Sequence, residues 1–240
     1  MRDIKYIFGF FIIFSAIFYI FTIKSDIDVK VFLTVATFLF AIFSGFLIAR
    51  QGTRYSAIRD DLNRFDGDMS FIYRASGHFG EAQKEIGEIL KKHYTPVLES
   101  KTWYYPFTHK TTTITDIHSL YEKVTGGKNL TSLQNAALSQ TLRGLLEGQG
   151  LRKNMISLYE ERVPRLQWFI LYFLVIIILI NLLIIPSQFE FLTSIFKGAF
   201  GALLFFVLIF LKKLDRLEFF EGAIGENSAR DVLDIIEGEK

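Results

Sequence analysis

Residues 31–50 read VFLTVATFLFAIFSGFLIAR, an apolar run with no formal charge until Arg50 closes it. A helix needs about 20 such residues to cross a hydrocarbon core about 30 Å thick, so a membrane span is predicted over about 31–49. Working outward, three further stretches of the same kind stand at about 6–23, 166–186 and 191–211. The mean hydropathy of +0.30 and the 26 phenylalanines in 240 residues exceed what one soluble globule would carry. The prediction is an all-α membrane protein with four transmembrane helices in two hairpins and a helical cytoplasmic domain between them.

Arg2 and Lys5 precede the first run as basic residues precede a signal peptide's apolar core. Yet Tyr6 to Ile23 is too long and aromatic for one, and no small-x-small cleavage site follows at Lys24-Ser25-Asp26. It is read as a retained span. The connections Lys24 to Lys30 and Ser187 to Glu190 are short, which makes the helices of each hairpin antiparallel neighbours. The domain boundaries follow: 1–50, first transmembrane hairpin; 51–165, helical cytoplasmic domain; 166–211, second transmembrane hairpin; 212–240, cytoplasmic C-terminal tail with a short helix.

Basic residues set the orientation. Arg50, Arg54 and Arg59 leave the second span, Arg152, Lys153, Arg162 and Arg165 lead into the third, and Lys212, Lys213 and Arg216 follow the fourth. The opposite side has only Lys24 and Lys30, offset by Asp26 and Asp28. Cytoplasmic loops are enriched in Lys and Arg, so both termini and the central domain are expected in the cytoplasm, with the protein in the cell's inner membrane.

Between the hairpins the apolar residues recur at helical spacing. Ile58, Leu62, Phe65, Met69 and Ile72 form one stripe, and Ile86, Ile89, Leu90, Tyr94 and Val97 form another. Trp103 to Phe107 breaks the pattern. Thr111 to Thr113 opens a third helix that stops at Gly126-Gly127, and Thr131 caps a fourth that runs to Glu161, with Pro164 marking a kink or new first turn. Ala229, Val232, Leu233 and Ile236 share one face of a short tail helix.

Several chemistries are excluded or disfavoured. The chain has no cysteine, so thiolate metal sites, iron–sulfur clusters and thiol nucleophiles are absent. A net charge of +2 does not suit a dedicated nucleic-acid binder. Gly126-Gly127-Lys128-Asn129 lacks the first glycine and the Ser/Thr of a phosphate loop. Asp66-Gly67-Asp68 lacks the further spaced ligands of a calcium loop, and salt bridges from Asp60, Asp61, Asp66 and Asp68 to Arg59, Arg64 and Arg74 are expected instead. His78, His93, His109 and His118 show no i, i+4 pairing, which points to structural or surface roles. No enzyme activity, metal or cofactor is expected. Within the spans, Lys197 is read as snorkelling to the outer surface, Asn181 as a hydrogen-bonding group between helices, and Gly198 and Gly201, with Ala199 and Ala202, as close-packing residues.

Phe46, Leu47, Arg50 and Tyr55 match a motif of the form F-L-x-F-R-x-N-x-x-Y, where the second membrane helix of bacterial bestrophins exits into the cytoplasm. Ile72-Tyr73-Arg74, Glu81, His93-Tyr94 and Glu99 before Trp103 continue the pattern. Leu214-Asp215-Arg216, with Phe219 or Phe220 and Gly222, matches a closing L-D-R-P-F-x-G element. Over most of residues 36–238 the chain resembles the bacterial bestrophin-like membrane family of unassigned function, and more distantly the bestrophin anion channels. Two tryptophans that follow the bestrophin motif are replaced here, with Ile58 and Arg59 near their place.

The resemblance implies a homopentamer in the lipid bilayer that passes inorganic anions through a pore lined by the second helix. The strictly aligned positions are Ala41, Gly45 and Ala49, a small-residue row that reads as a helix-packing surface. A one-residue rotation instead presents Phe38, Ile42 and Phe46 as a constriction above a ring of Arg50 side chains. Arg50 is equally suited to anchor a span at the phosphate level. A non-conducting scaffold or sensor that docks a cytoplasmic partner is the competing expectation.

Overall fold

The computed structural model describes residues 2–21, 30–100, 103–109, 111–185, 190–218 and 224–238. Its α-helices are α1 (Arg2–Ile20), α2 (Lys30–Ser76), α3 (Ala82–Ser100), α4 (Tyr105–Thr108), α5 (Thr113–Thr125), α6 (Ser132–Glu160), α7 (Arg165–Ile184), α8 (Glu190–Asp215) and α9 (Ile224–Glu237). No strand occurs among the described residues. Both hairpin connections and the Lys24-Ser25-Asp26 site lie mostly or wholly outside them, so the two-hairpin expectation falls there. The chain divides into two compact units, residues 1–52 with 162–216 and residues 53–161 with 217–240.

Three helical stretches, in α2, α7 and α8, are long and apolar enough to cross a bilayer, while the apolar part of α1, Phe8–Ile20, is shorter. In α2 the apolar stretch is 31–49, and the helix continues without a break into the charged segment that carries the Ile58 stripe.

The core of the first unit joins Phe18 of α1, Ala36, Phe40 and Leu47 of α2, Leu171, Leu174 and Ile178 of α7, and Leu204, Leu208 and Leu211 of α8. α1 packs closely on α8. The reason is the absence of a side chain at Gly198: a Cβ there would lie 2.7 Å from the Ser15 backbone nitrogen. One turn on, Phe14 covers Gly201, and the rings of Phe10 and Phe14 lie 5.0 and 5.1 Å from that of Phe205. The small residues of α8 thus serve the close packing expected of them.

Two polar expectations change. Lys197 reaches toward the outer end of α7, but into protein: it is only 7% exposed and donates a 2.7 Å hydrogen bond to the Ile185 carbonyl, one of the unpaired carbonyls at that helix end. A cation suits that end of a helix. Asn181 does not direct its amide nitrogen across to another helix, but donates to Ile177 of its own.

In the second unit the predicted stripes meet. Ile58, Leu62, Phe65, Met69 and Ile72 of α2 and Ile86, Leu90, Tyr94 and Val97 of α3 are buried in one core with Ile117 and Tyr121 of α5. α6 starts at Thr131 with a reciprocal capping box to Gln134. It packs on α2 through Gly144 and Gly148, where a Cβ would meet Ile72 at 3.6 Å and Met69 at 3.2 Å. α9 buries Ala229 and Val232 in the same core, and Ile236 packs where Gly87 of α3 leaves room.

Candidate pore face and buried polar groups

Successive residues turn about 100° around a helix, so Ala36, Phe40, Ser44, Leu47 and Gln51 fall on one side of α2. All five are buried. The opposite side holds both predicted rows. Phe38, Ile42 and Phe46 are 63%, 51% and 62% exposed. Ala41, Gly45 and Ala49 are exposed as well, and a Cβ at Gly45 would meet nothing within 4 Å. Among the described residues of this unit, the core contact of α2 is made by the Phe40 side. Arg50 sits at the edge of the exposed side, partly buried.

The basic residues that follow have different fates. Arg54 is buried and donates from Nε to the Leu158 carbonyl at 2.6 Å and from Nη2 to the Tyr159 carbonyl at 3.0 Å. Both are unpaired carbonyls in the last turn of α6, which a planar guanidinium can bridge. Arg59 approaches Asp60 at 4.0 Å in an exposed pair, which contributes little to stability.

The aspartates do not form the expected set of arginine pairs. Asp61 accepts from Asn154 of α6 at 2.6 Å. Asp66 is buried and accepts at Oδ1 from the Tyr94 hydroxyl at 2.7 Å, its Oδ2 has no hydrogen-bond partner among the described residues, and the hydroxyl of Ser228 of α9 lies near enough to favour the carboxylate. Burial drives its pKa from 3.8 up to about 6, against the opposing pull of those two hydroxyls. Sequence reasoning gave Asp66 a salt bridge and missed its burial, although a signal was present: Asp66 stands four residues after Leu62, on the stripe itself.

His93 is also buried, and its Nδ1 lies 2.9 Å from the Thr113 hydroxyl. Desolvation, aided by the charge of Arg152, lowers its pKa to about 4 and keeps the ring neutral. It faces a cleft of about 260 Å³ between α3, α4 and α5, with Lys92, Tyr105, His109 and Asp116 around it. Tyr105 and His109 stack there at 4.0 Å, and Asp116 accepts from Thr112 at 2.7 Å. His118 approaches Glu122 at 3.7 Å on the surface. No group of three or more metal-ligating side chains occurs among the described residues.

The closing Leu214-Asp215-Arg216 element ends α8. Asp215 Oδ1 accepts from the Val163 backbone N–H, and Arg162 Nη1 donates to the Asp215 carbonyl. The element ties the end of α8 to the start of α7.

No curated protein and no solved structure matches the chain. A family model does: the Bestrophin-like domain, over residues 24–224. That match takes in the apolar stretch of α2, the helical unit built on its charged half, and the Asp215 clamp, and by it this membrane protein belongs to the Bestrophin-like family.

Proposed function

We propose that the chain assembles with copies of itself, as a homopentamer in the cell's inner membrane, and conducts inorganic anions passively through a pore lined by α2. In this reading four spanning helices are connected as two hairpins, both termini are cytoplasmic, Phe38, Ile42 and Phe46 form the constriction, and Arg50 forms a cationic ring at the inner mouth.

The observation that carries the proposal is the make-up of the uncovered side of α2. The uncovered sides of α7 and α8 bear large apolar residues such as Phe169, Phe173, Ile176, Phe196 and Leu203, as a lipid-facing surface does. On α2, large residues alternate with the small row Ala41, Gly45 and Ala49. Small residues let helix backbones approach each other and give lipid little to grip. The two rows are three residues apart, an offset of about 60° around the helix. In a closed ring of five helices, the directions to the axis and to a neighbour differ by about 54°. The large row can therefore face the axis while the small row meets the next copy.

The test is the mass of the protein in lipid nanodiscs, followed by chloride efflux from liposomes. Five chains per particle and protein-dependent efflux support the proposal, and a monomer or dimer overturns it. A second reading, a non-conducting scaffold that docks a cytoplasmic partner, draws on Leu142 and Leu146. Both are exposed on α6, on the side away from Gly144 and Gly148. A monomer without efflux favours it.

A further inference from the structure

We propose that α9 is a proton-dependent latch, seated on the side chain of Asp66 when that side chain is a neutral carboxylic acid and released when it is a carboxylate. The latch lies almost wholly beyond the part of the chain that the family match covers.

α9 is held by apolar and polar contacts together. Ala229 and Val232 are buried beneath it, the Tyr73 hydroxyl donates to the Ile236 carbonyl at 3.2 Å, and Lys91 approaches Glu237 at 3.7 Å in an exposed pair. Among these contacts stands Asp66. Its Oδ1 takes the Tyr94 hydroxyl, while Ser228 and Ala229 of α9 close over the carboxyl group. Beside it is a small cavity to which Leu62 and Phe65 of α2, Trp103 and Ala229 contribute apolar surface. Its only titrating members besides Asp66 are His93 and Tyr94, both from α3. His93, faced by Arg152 of α6, titrates at about 4, and burial raises Tyr94 well above 10. Neither changes charge between pH 5 and 8, so Asp66 is the group in this cluster that does.

The direction follows from burial. With α9 docked, the carboxyl group is shut away from water, and its pKa of about 6 exceeds the 3.8 of a solvated aspartate. When α9 lifts, water reaches the carboxylate and the ionised form is no longer penalised. Docking is therefore strongest below pH 4 and weakens as pH rises through 6. A difference of about two pKa units corresponds to about a hundredfold change in the docking equilibrium.

The chain has no cysteine, so two can be introduced as unique labelling sites. Glu88 on α3 and Arg230 on α9 are exposed. The full-length E88C/R230C protein, spin-labelled in nanodiscs, reports docking as an interspin distance between pH 5 and 8. The expected result is a short-distance population that falls as pH rises from 5, with a midpoint below 6 and a plateau above 7, as the docking equilibrium weakens about tenfold over that range. Asp66→Asn, which keeps an acceptor for Tyr94 without the charge, holds α9 docked across the range. Ser228→Ala, which removes a group that favours the carboxylate, moves the midpoint upward. A distance distribution independent of pH overturns the proposal, as does an unchanged midpoint in both variants. The readout is a distance rather than flux, so it stands or falls separately from conduction.

Discussion

Asp215 Oδ1, at the last residue of α8, accepts a 2.7 Å hydrogen bond from the backbone N–H of Val163, two residues before α7 begins. Val163 is buried, and Pro164, which follows it, supplies no N–H of its own. Removing the carboxylate leaves a buried donor without its acceptor, which costs about 1–3 kcal/mol. Asp215→Ala is expected to lower stability by that amount in denaturant unfolding in detergent. Asp215→Asn keeps a neutral acceptor and should lose less than half as much. Equal stability of all three proteins would mean that the Val163 N–H had found another acceptor.

Gly198 and Gly45 sit on apolar helices of the same unit but face opposite situations. A Cβ at Gly198 strikes the backbone of Ser15, which cannot yield without moving α1, whereas one at Gly45 meets nothing within 4 Å among the described residues. Overpacking of this kind costs about 1–3 kcal/mol. Gly198→Ala is therefore expected to lower the thermal midpoint of the isolated chain in detergent. Gly45→Leu should leave that midpoint unchanged yet reduce the share of assembled particles in nanodiscs. Assembly unaffected by Gly45→Leu would remove the small row from the interface between copies.

Much of this architecture was legible in the sequence because hydrophobic spacing is dictated locally. The Ile58 and Ile86 stripes, the Thr131 cap and the Gly126-Gly127 stop all lie where periodicity and capping put them. Partner choice was less legible. The packing of α1 on α8 depends on Gly198 meeting Ser15 across more than 180 positions of chain, and short connections argue only for sequential neighbours. The buried ends of helices were harder still. Arg54 and Lys197 read as membrane-edge cations, yet both satisfy the last carbonyls of another helix, a demand that arises only once those helix ends are packed.

On the proposed pore, Phe46 and Arg50 act on different properties. A ring of phenylalanines resists wetting, so Phe46→Ala should raise chloride efflux from liposomes severalfold. The cation ring concentrates anions, so Arg50→Gln should lower the preference for chloride over potassium in bilayer recordings with little effect on assembly. Efflux unchanged in both variants would move the constriction elsewhere.

Asp66 and His93 make opposite demands on pH, and their effects on global stability should nearly cancel. The pKa of Asp66 is raised in the folded chain, from 3.8 to about 6, so its contribution is complete below 3.8 and is lost as pH rises through 6. The pKa of His93 is lowered, from 6.5 to about 4, so its contribution is complete above 6.5 and is lost as pH falls through 4. Each shift corresponds to about 3 kcal/mol. Between pH 4 and 6, acidification strengthens the fold through Asp66 while weakening it through His93, by about one proton each. Denaturant midpoints of the wild-type chain in detergent should change little over that window. His93→Gln should expose the Asp66 slope, with stability rising on acidification, and Asp66→Asn should expose the reverse. If the two variants slope in the same direction, the opposing titrations of these neighbours in the core of the second unit are not what sets its response to acid.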